Sequence, residues 1–170
     1  ERFLEGTAVV CPTMILTGPR MHLKQRQPSE VLQWVESLPT EVRAEISGDW
    51  LSAVSRLSMA DAWYCGFLFV LNESGTAAGS GGFKGPPDAS GTVELAYGVD
   101  ESLQGQGLAT EAVGLLLQFC REQAGVCRVI ACTRPGNTAS ARVLQKNQFS
   151  CGGLCLHPED GEVLLWERLL

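Results

Sequence analysis

Apolar positions along the chain switch between a period near two and a period near 3.6, and the switches mark out its elements. Met21–Gln25 reads as a short first strand. From Pro28 and Ser29 the spacing turns helical, with Val31, Leu32, Trp34, Val35 and Leu38 recurring on one face. Pro39 and Thr40 open a second helical region that carries Val42, Ile46, Trp50, Leu51, Val54 and Leu57, with Gly48 as its break. Ala62–Leu71 is aromatic and apolar, and it ends at the turn residues Asn72–Gly75; Thr76–Lys84 follows, which predicts an antiparallel hairpin. After a Gly/Pro-rich turn over 85–91, Thr92–Asp100 sets Val93, Leu95, Tyr97 and Val99 against Glu94, Ala96 and Gly98.

A loop over Glu101–Gly107 then enters a helix reaching to about Gln123, whose apolar face holds Leu108, Ala112, Leu115, Leu116 and Phe119. Val126–Thr133 predicts a buried strand, Asn137–Lys146 a helix, Phe149–Leu156 a strand, and Glu162–Arg168 a last strand after the turn Pro158–Gly161. The order β-αα-βββ-α-β-α-ββ joins a meander to a crossover. The expected fold class is therefore α/β (α+β), with a mixed, mostly antiparallel central sheet flanked by helices. Residues 1–170 read as a single domain, with 1–20 as an N-terminal extension.

Charge narrows the choice of function. A formal net charge of −6, with no basic cluster, excludes a general binder of phosphate backbones, so no nucleic-acid partner is expected. The apolar stretch Thr7–Leu16 is too short to span a bilayer, and Glu1–Gly6 lacks the basic start of a secretory leader. The cysteines at 11, 65, 120, 127, 132, 151 and 155 fall mostly in apolar runs such as Trp63–Leu71 and Val126–Cys132. They read as small buried hydrophobes of a reduced, cytoplasmic protein. Cys151, Cys155 and His157 stand close together, but C-x3-C-x-H lacks a second ligand pair, so no metal is expected.

The segment richest in chemistry is Val99–Ala112, where a strand ends and a glycine-rich loop enters a helix. Unpaired N–H groups and the dipole at a helix N-terminus make an anion site, and glycines at 105 and 107 let backbone approach a phosphate. A P-loop fails, because no Lys-Ser/Thr pair follows Gly107; a dinucleotide fingerprint fails, because Thr110 takes its third glycine position.

Gln104, Gly107 and Ala109 match the pattern Q/R-x-x-G-x-G/A, and the run Gln104–Ala112 resembles the Q-G-x-G-[LY]-[AM]-T-E-A form of GNAT acetyltransferases similar to ribosomal-protein N-terminal acetyltransferases. Asn137, Ser140, Leu144, Lys146 and Phe149 resemble that family's N-x-x-[AS]-x-x-x-[LY]-x-K-x-G-F segment, and Gly79–Phe83 resembles its third strand. The resemblance implies a GNAT fold and acetyl transfer from acetyl-CoA, without metal, to a primary amine. That amine is a protein N-terminal α-amine or a small-molecule amine, attacking directly in a ternary complex. It places the cosubstrate against Val99, Gln104, Gly105, Gln106, Gly107, Leu108, Ala109, Thr110, Asn137, Ser140 and Lys146. The alternative is a CoA-binding regulatory or interaction domain that keeps the fold without the chemistry. A homodimer is left open.

Two positions depart from the family pattern: Gln148 stands where glycine is usual, and Leu144 where many relatives place a tyrosine that protonates the departing thiolate. Glu94 is the candidate general base, since the resemblance often puts a glutamate of this strand in that role through water; a solvated glutamate is the plain alternative. Ser140 is the candidate thiolate donor, or an ordinary helix-surface serine. Tyr97 could donate, yet its strand face reads as core, and Cys132 could carry an acyl group or simply be buried. Asn137 is an N-cap, a ligand contact, or both.

Overall fold

The computed structural model describes residues 12–170; Cys11, the leader reading on Glu1–Gly6 and the start of the Thr7–Leu16 run lie outside the described residues. In chain order the elements are β1 (Ile15–Thr17), β2 (Met21–Gln25), α1 (Pro28–Ser37), α2 (Thr40–Ala44), α3 (Gly48–Ser55), α4 (Ala62–Cys65), β3 (Phe67–Leu71), β4 (Ala77–Phe83) and β5 (Thr92–Val99). A single 3-10 turn, Glu101–Leu103, leads to α5 (Leu108–Glu122), β6 (Arg128–Thr133), α6 (Thr138–Lys146), β7 (Ser150–His157) and β8 (Gly161–Leu169). The strands form one eight-stranded sheet in the order β1-β2-β3-β4-β5-β6-β8-β7. Among the described strands only β5 and β6 run parallel, joined by the α5 crossover, so the mixed, mostly antiparallel sheet expected from the sequence is what forms.

The main core lies between this sheet and α5. Leu108, Ala112, Val113, Leu116, Leu117 and Phe119 of the helix pack on Met21, Leu23, Phe67, Phe69, Val93, Leu95 and Val129. Phe119 sits in an aromatic cluster, with Trp63, Phe67 and Phe83 at centroid distances of 5.3, 5.9 and 5.9 Å. A smaller cluster of Val31, Val54 and Cys65 joins α1, α3 and α4. No helix among the described residues is long and apolar enough to cross a membrane.

Several local readings change. Ala62–Leu71 is not one strand: Asp61 Oδ1 accepts the N–H groups of Trp63 (2.8 Å) and Tyr64 (3.3 Å), starting a helical turn that Gly66 ends at φ 62°. Gly48 does more than break a helix. Ser47 Oγ accepts the Trp50 N–H at 3.4 Å, and α3 begins there. The region read as an extension supplies an edge strand, β1. Of the described cysteines only Cys65 and Cys120 are buried, while Cys127 and Cys151 are exposed; the reading of most as core is corrected. Gln148 adopts φ 62°, the left-handed conformation that the family's glycine would take without strain.

Candidate active site

β5 and β6 hold together only from Thr92↔Arg128 to Leu95↔Ala131. Beyond Leu95 the strand β5 pairs with β4 alone, and beyond Ala131 the strand β6 pairs with β8 alone. The two parallel strands therefore part at their C-terminal ends, the position where α/β folds gather ligands.

On one side of this opening lies a groove of about 520 Å³ between the loop before α5 and the first turns of α6. Val99, Gln104, Gly105, Gly107, Leu108, Ala109, Thr110, Asn137, Ser140 and Lys146 line it, so the structure brings together two motifs separate in sequence. Gly105 and Gly107 turn the chain at φ 75° and 78°. Leu108, Ala109 and Thr110 begin a 15-residue helix with no side-chain cap, so their N–H groups stand without intrahelical acceptors beside the groove. Gln104 Nε2 donates to Val99 O at 3.0 Å and ties the loop to the strand end. Asn137 Oδ1 accepts the Ser140 N–H at 3.1 Å, so it caps α6 while facing the groove. Arg142, which the sequence reading missed, also lines it; its spacing four residues before Lys146 puts both cations on one helix face.

Gln106 is differently placed. Its carbonyl points away to accept Arg20 Nη1 at 2.8 Å. Arg20 Nε in turn meets Glu111 Oε2 at 2.9 Å, and Glu111 Oε1 accepts the N–H groups of Arg20 (2.9 Å) and Met21 (3.2 Å). The β1–β2 turn thus braces the glycine loop from behind. Burial works to raise the Glu111 pKa, but these hydrogen bonds and the Arg20 charge outweigh it and hold the carboxyl below its ordinary range.

On the other side lies a cleft, also of about 520 Å³, walled by Trp34, Trp50 and Tyr64 and floored by Gly81, Gly82, Ala96 and Gly98. Tyr97 and Gly98 belong to both hollows. Tyr97 keeps its ring against the core, as the alternation predicts, yet its Oη lies 2.9 Å from Ser140 Oγ. Burial pushes the Tyr97 pKa up, with the Ser140 hydrogen bond acting the other way. Leu144, at the position of the family's usual tyrosine, is fully buried.

Glu94 stands on the face of β5 that carries Ala96 and Gly98, but it is not solvated; its side chain is 18% exposed. Its Oε1 meets Lys84 Nζ at 3.0 Å as an ion pair without hydrogen-bond alignment, and His157 Nε2 lies 3.4 Å from Oε2. Lys84 also reaches Asp160 Oδ2 at 3.1 Å and, rather than Glu94, lines the cleft. Burial tends to lower the Lys84 pKa, but the nearby carboxylates of Glu94 and Asp160 prevail and raise it, keeping the ammonium charged.

Cys132 completes this group, and the candidate ligand atoms of Glu94, Cys132 and His157 all lie within 4.8 Å of one another. The sequence triple Cys151, Cys155 and His157 does not form that cluster. His157 Nδ1 accepts the N–H groups of Glu159 (3.1 Å) and Asp160 (3.2 Å) in the tautomer that puts the ring hydrogen on Nε2, toward Glu94, and it also lies 3.3 Å from Asp160 Oδ2. Burial first, then the Glu94 charge, pushes the Cys132 thiol up to about 11, so it is not a ready nucleophile.

The family of acetyltransferase (GNAT) domains matches residues 19–150. Over 89 residues the chain is 27% identical to YjdG, an uncharacterized N-acetyltransferase of Bacillus subtilis (strain 168), a match covering 52% of this chain and 51% of that protein. The matched stretch thus spans about half the length of this curated relative. Among solved structures, RimL, a ribosomal alpha-N-protein acetyltransferase in complex with coenzyme A, is similar at a TM-score of 0.66 and 19% identity, covering 92% of this chain and 98% of that one. Mycobacterium smegmatis RimJ, in complex with CoA-disulfide, gives a TM-score of 0.66 at 22% identity over 94% of this chain and 86% of its own. With the family match extending through both motifs that line the groove, the chain belongs to the GNAT acetyltransferase family.

Proposed function

We propose that the protein transfers an acetyl group from acetyl-CoA to a primary amine by direct attack in a ternary complex. The observation that carries this is the meeting of two hollows at Tyr97 and Gly98, where β5 parts from β6. The groove suits the cosubstrate. Its pyrophosphate takes the loop N–H groups over Gln104–Ala109, Arg142 and Lys146 add positive charge, and the pantetheine runs past Asn137 toward Ser140. The thioester then stands at the junction and the amine approaches from the aromatic cleft.

Attack needs a neutral amine. An α-amine of pKa ~7.7–8.0 costs about 1–1.4 kcal/mol to deprotonate at pH 7, a lysine side chain about 4.6 kcal/mol. The Lys84 ammonium at the cleft lowers the pKa of an incoming amine, and Glu94 behind it accepts the proton through water. These modest aids favour α-amines or small amines of lowered pKa. As the tetrahedral intermediate collapses, the departing thiolate needs a proton, and the Tyr97–Ser140 pair is the donor, with Ser140 nearest the thiol path. The raised Cys132 pKa supports direct transfer over an acyl-cysteine. A cytoplasmic setting goes with the unpaired thiols of the described residues.

The test is thiol release from acetyl-CoA with mass spectrometry of the acceptor, using peptides with a free N-terminus, peptides with a blocked N-terminus bearing lysine, and amino sugars. Acetylation of the free α-amine is expected. CoA binding without turnover of any amine would leave the chemistry-free CoA-binding domain as the better account. A preference for the blocked, lysine-bearing peptide would refute the α-amine assignment.

A further inference from the structure

Among the described residues that line the acceptor cleft, two cations stand beside the acids Glu45, Glu159 and Asp160, and the two are treated differently. Lys84 is engaged by Glu94 and Asp160. Arg26 is anchored at one end only: its Nε donates to Cys65 O at 3.0 Å and its Cζ lies 5.1 Å from the Trp34 ring centroid. Among the described residues its Nη1 and Nη2 have no acceptor. Glu30, the carboxylate whose field reaches it, uses Oε2 to accept the Gln27 N–H at 2.7 Å. Burial lowers the Arg26 pKa, with the Cys65 and Glu30 charges acting against that. A half-buried guanidinium fixed by a carbonyl and an aromatic face, with its fork open to a cleft, is built to receive a planar anion.

We propose that Arg26 is a carboxylate-recognition subsite of the acceptor cleft, so that preferred acceptors carry an acidic group at a set distance from the reacting amine. The subsite rests on the amine-acetylation reading above. Its position sets the spacing. Arg26 Nη2 lies 3.5 Å from where a Cβ on Gly66 would stand, and a Cβ on Gly82 would come within 2.7 Å of Gly66 Cα. Gly81 and Gly82 pair with Tyr97 and Ala96 of β5, next to Gly98. One strand spacing of ~4.8 Å plus the depth of Gly66 puts the guanidinium on the order of 10 Å from the junction. An extended peptide covers that in about three residues at ~3.4 Å each. An Asp or Glu side chain at the second or third residue meets this spacing; so does the terminal carboxylate of a short peptide. The chemistry is the same and the source differs.

The experiment compares amidated tetrapeptides with Asp or Asn at residue two or three, and a dipeptide with free or amidated C-terminus, on wild type, Arg26→Gln and Arg26→Lys. Steady-state acetylation gives kcat and KM, and calorimetry on CoA-loaded protein gives peptide affinity without turnover. Wild type is expected to favour one acidic member over its neutral twin by about ten- to a hundredfold, carried by KM and Kd, as for a charge-assisted bidentate bond. Arg26→Gln should remove the preference, Arg26→Lys should restore part of it, and CoA affinity should hold in both. Equal affinity of wild type for acidic and neutral twins, or an equal loss for both in Arg26→Gln, would overturn the subsite and leave Arg26 a structural partner of Trp34 and Cys65. Binding discrimination without acetylation of any amine would instead overturn the parent reading alone.

Discussion

Gly98→Val puts the junction of the two hollows to a direct test. No atom lies within 4 Å of the position a Cβ would take at Gly98, and its backbone is outside the left-handed region. The Cβ of a valine therefore meets open space outside its chain neighbours, and a strand interior favours valine over glycine by up to about 1 kcal/mol. The same open space belongs to both the groove and the cleft. Branching methyls there stand where the amine and thioester must approach to ~3–3.5 Å, and misplacement by ~1 Å costs about a hundredfold in rate. At ~1.36 kcal/mol per tenfold, that is about 2.7 kcal/mol of transition-state stabilisation. Stability and activity should move in opposite directions, a signature general damage cannot give. Thermal melting, CoA calorimetry and thiol-release kinetics measure the three quantities. A variant with kcat/KM within about threefold of wild type would refute the placement of the reaction at this junction, as would loss of CoA affinity comparable to the loss of rate.

Gly107→Val should weaken CoA binding at least tenfold by calorimetry. Its φ of 78° is strained by ~1–3 kcal/mol for a side chain, and the new Cβ would stand 3.3 Å from Arg20 Nη2 beside the anion loop; unchanged affinity in folded protein would refute the pyrophosphate placement. Tyr97→Phe and Ser140→Ala should each lower kcat about ten- to a hundredfold, and the double variant little further, because the two hydroxyls act as one donor; additive losses would separate their roles. Glu111→Gln should cost about 1–2 kcal/mol at pH 7, since three hydrogen bonds lose their charge assistance. Because the Glu111 pKa is depressed in the fold, its contribution is present above the ordinary carboxylate range of ~4.3 and is lost as pH falls through the folded value. Denaturant melts of wild type and variant should therefore converge on acidification; a gap independent of pH would assign the effect to packing.

The element order was legible because most segments keep one period long enough to show it. Thr92–Val99 alternates burial along most of its length, and α5 turns its apolar stripe to the sheet. Legibility failed where a run has no period. Between Ala62 and Leu71 every residue but Gly66 is apolar, so only the Asp61 cap and Gly66 itself signal the helical turn. The surroundings of Glu94 were illegible for another reason. That it shares a face with Ala96 and Gly98 was readable, but not whether that face borders a cleft or solvent, and His157 lies 63 residues away and arrives through a hairpin at the far edge of the sheet. Residue spacing carries no record of such a contact.

The hydroxyl pair shows why a missing motif residue is weak ground for denying chemistry. Leu144 takes the family's tyrosine position and turns into the core, where it can donate nothing. Tyr97 and Ser140 lie 43 residues apart, on a strand and a helix whose approach depends on the β5–β6 opening. Strand alternation assigns Tyr97 to the core face, and its ring does pack there. A tyrosine is long enough to satisfy that assignment and still deliver its hydroxyl elsewhere, since its apolar body and polar tip face different surroundings. Alternation reports where a Cβ points, whereas proton donation depends on where an oxygen ends. For a long amphipathic side chain the two differ by several ångströms, enough to carry Tyr97 Oη from the core edge to within 2.9 Å of Ser140 Oγ. The donor that relatives place on the helix can thus be supplied from the facing strand, at the same groove and from the opposite wall.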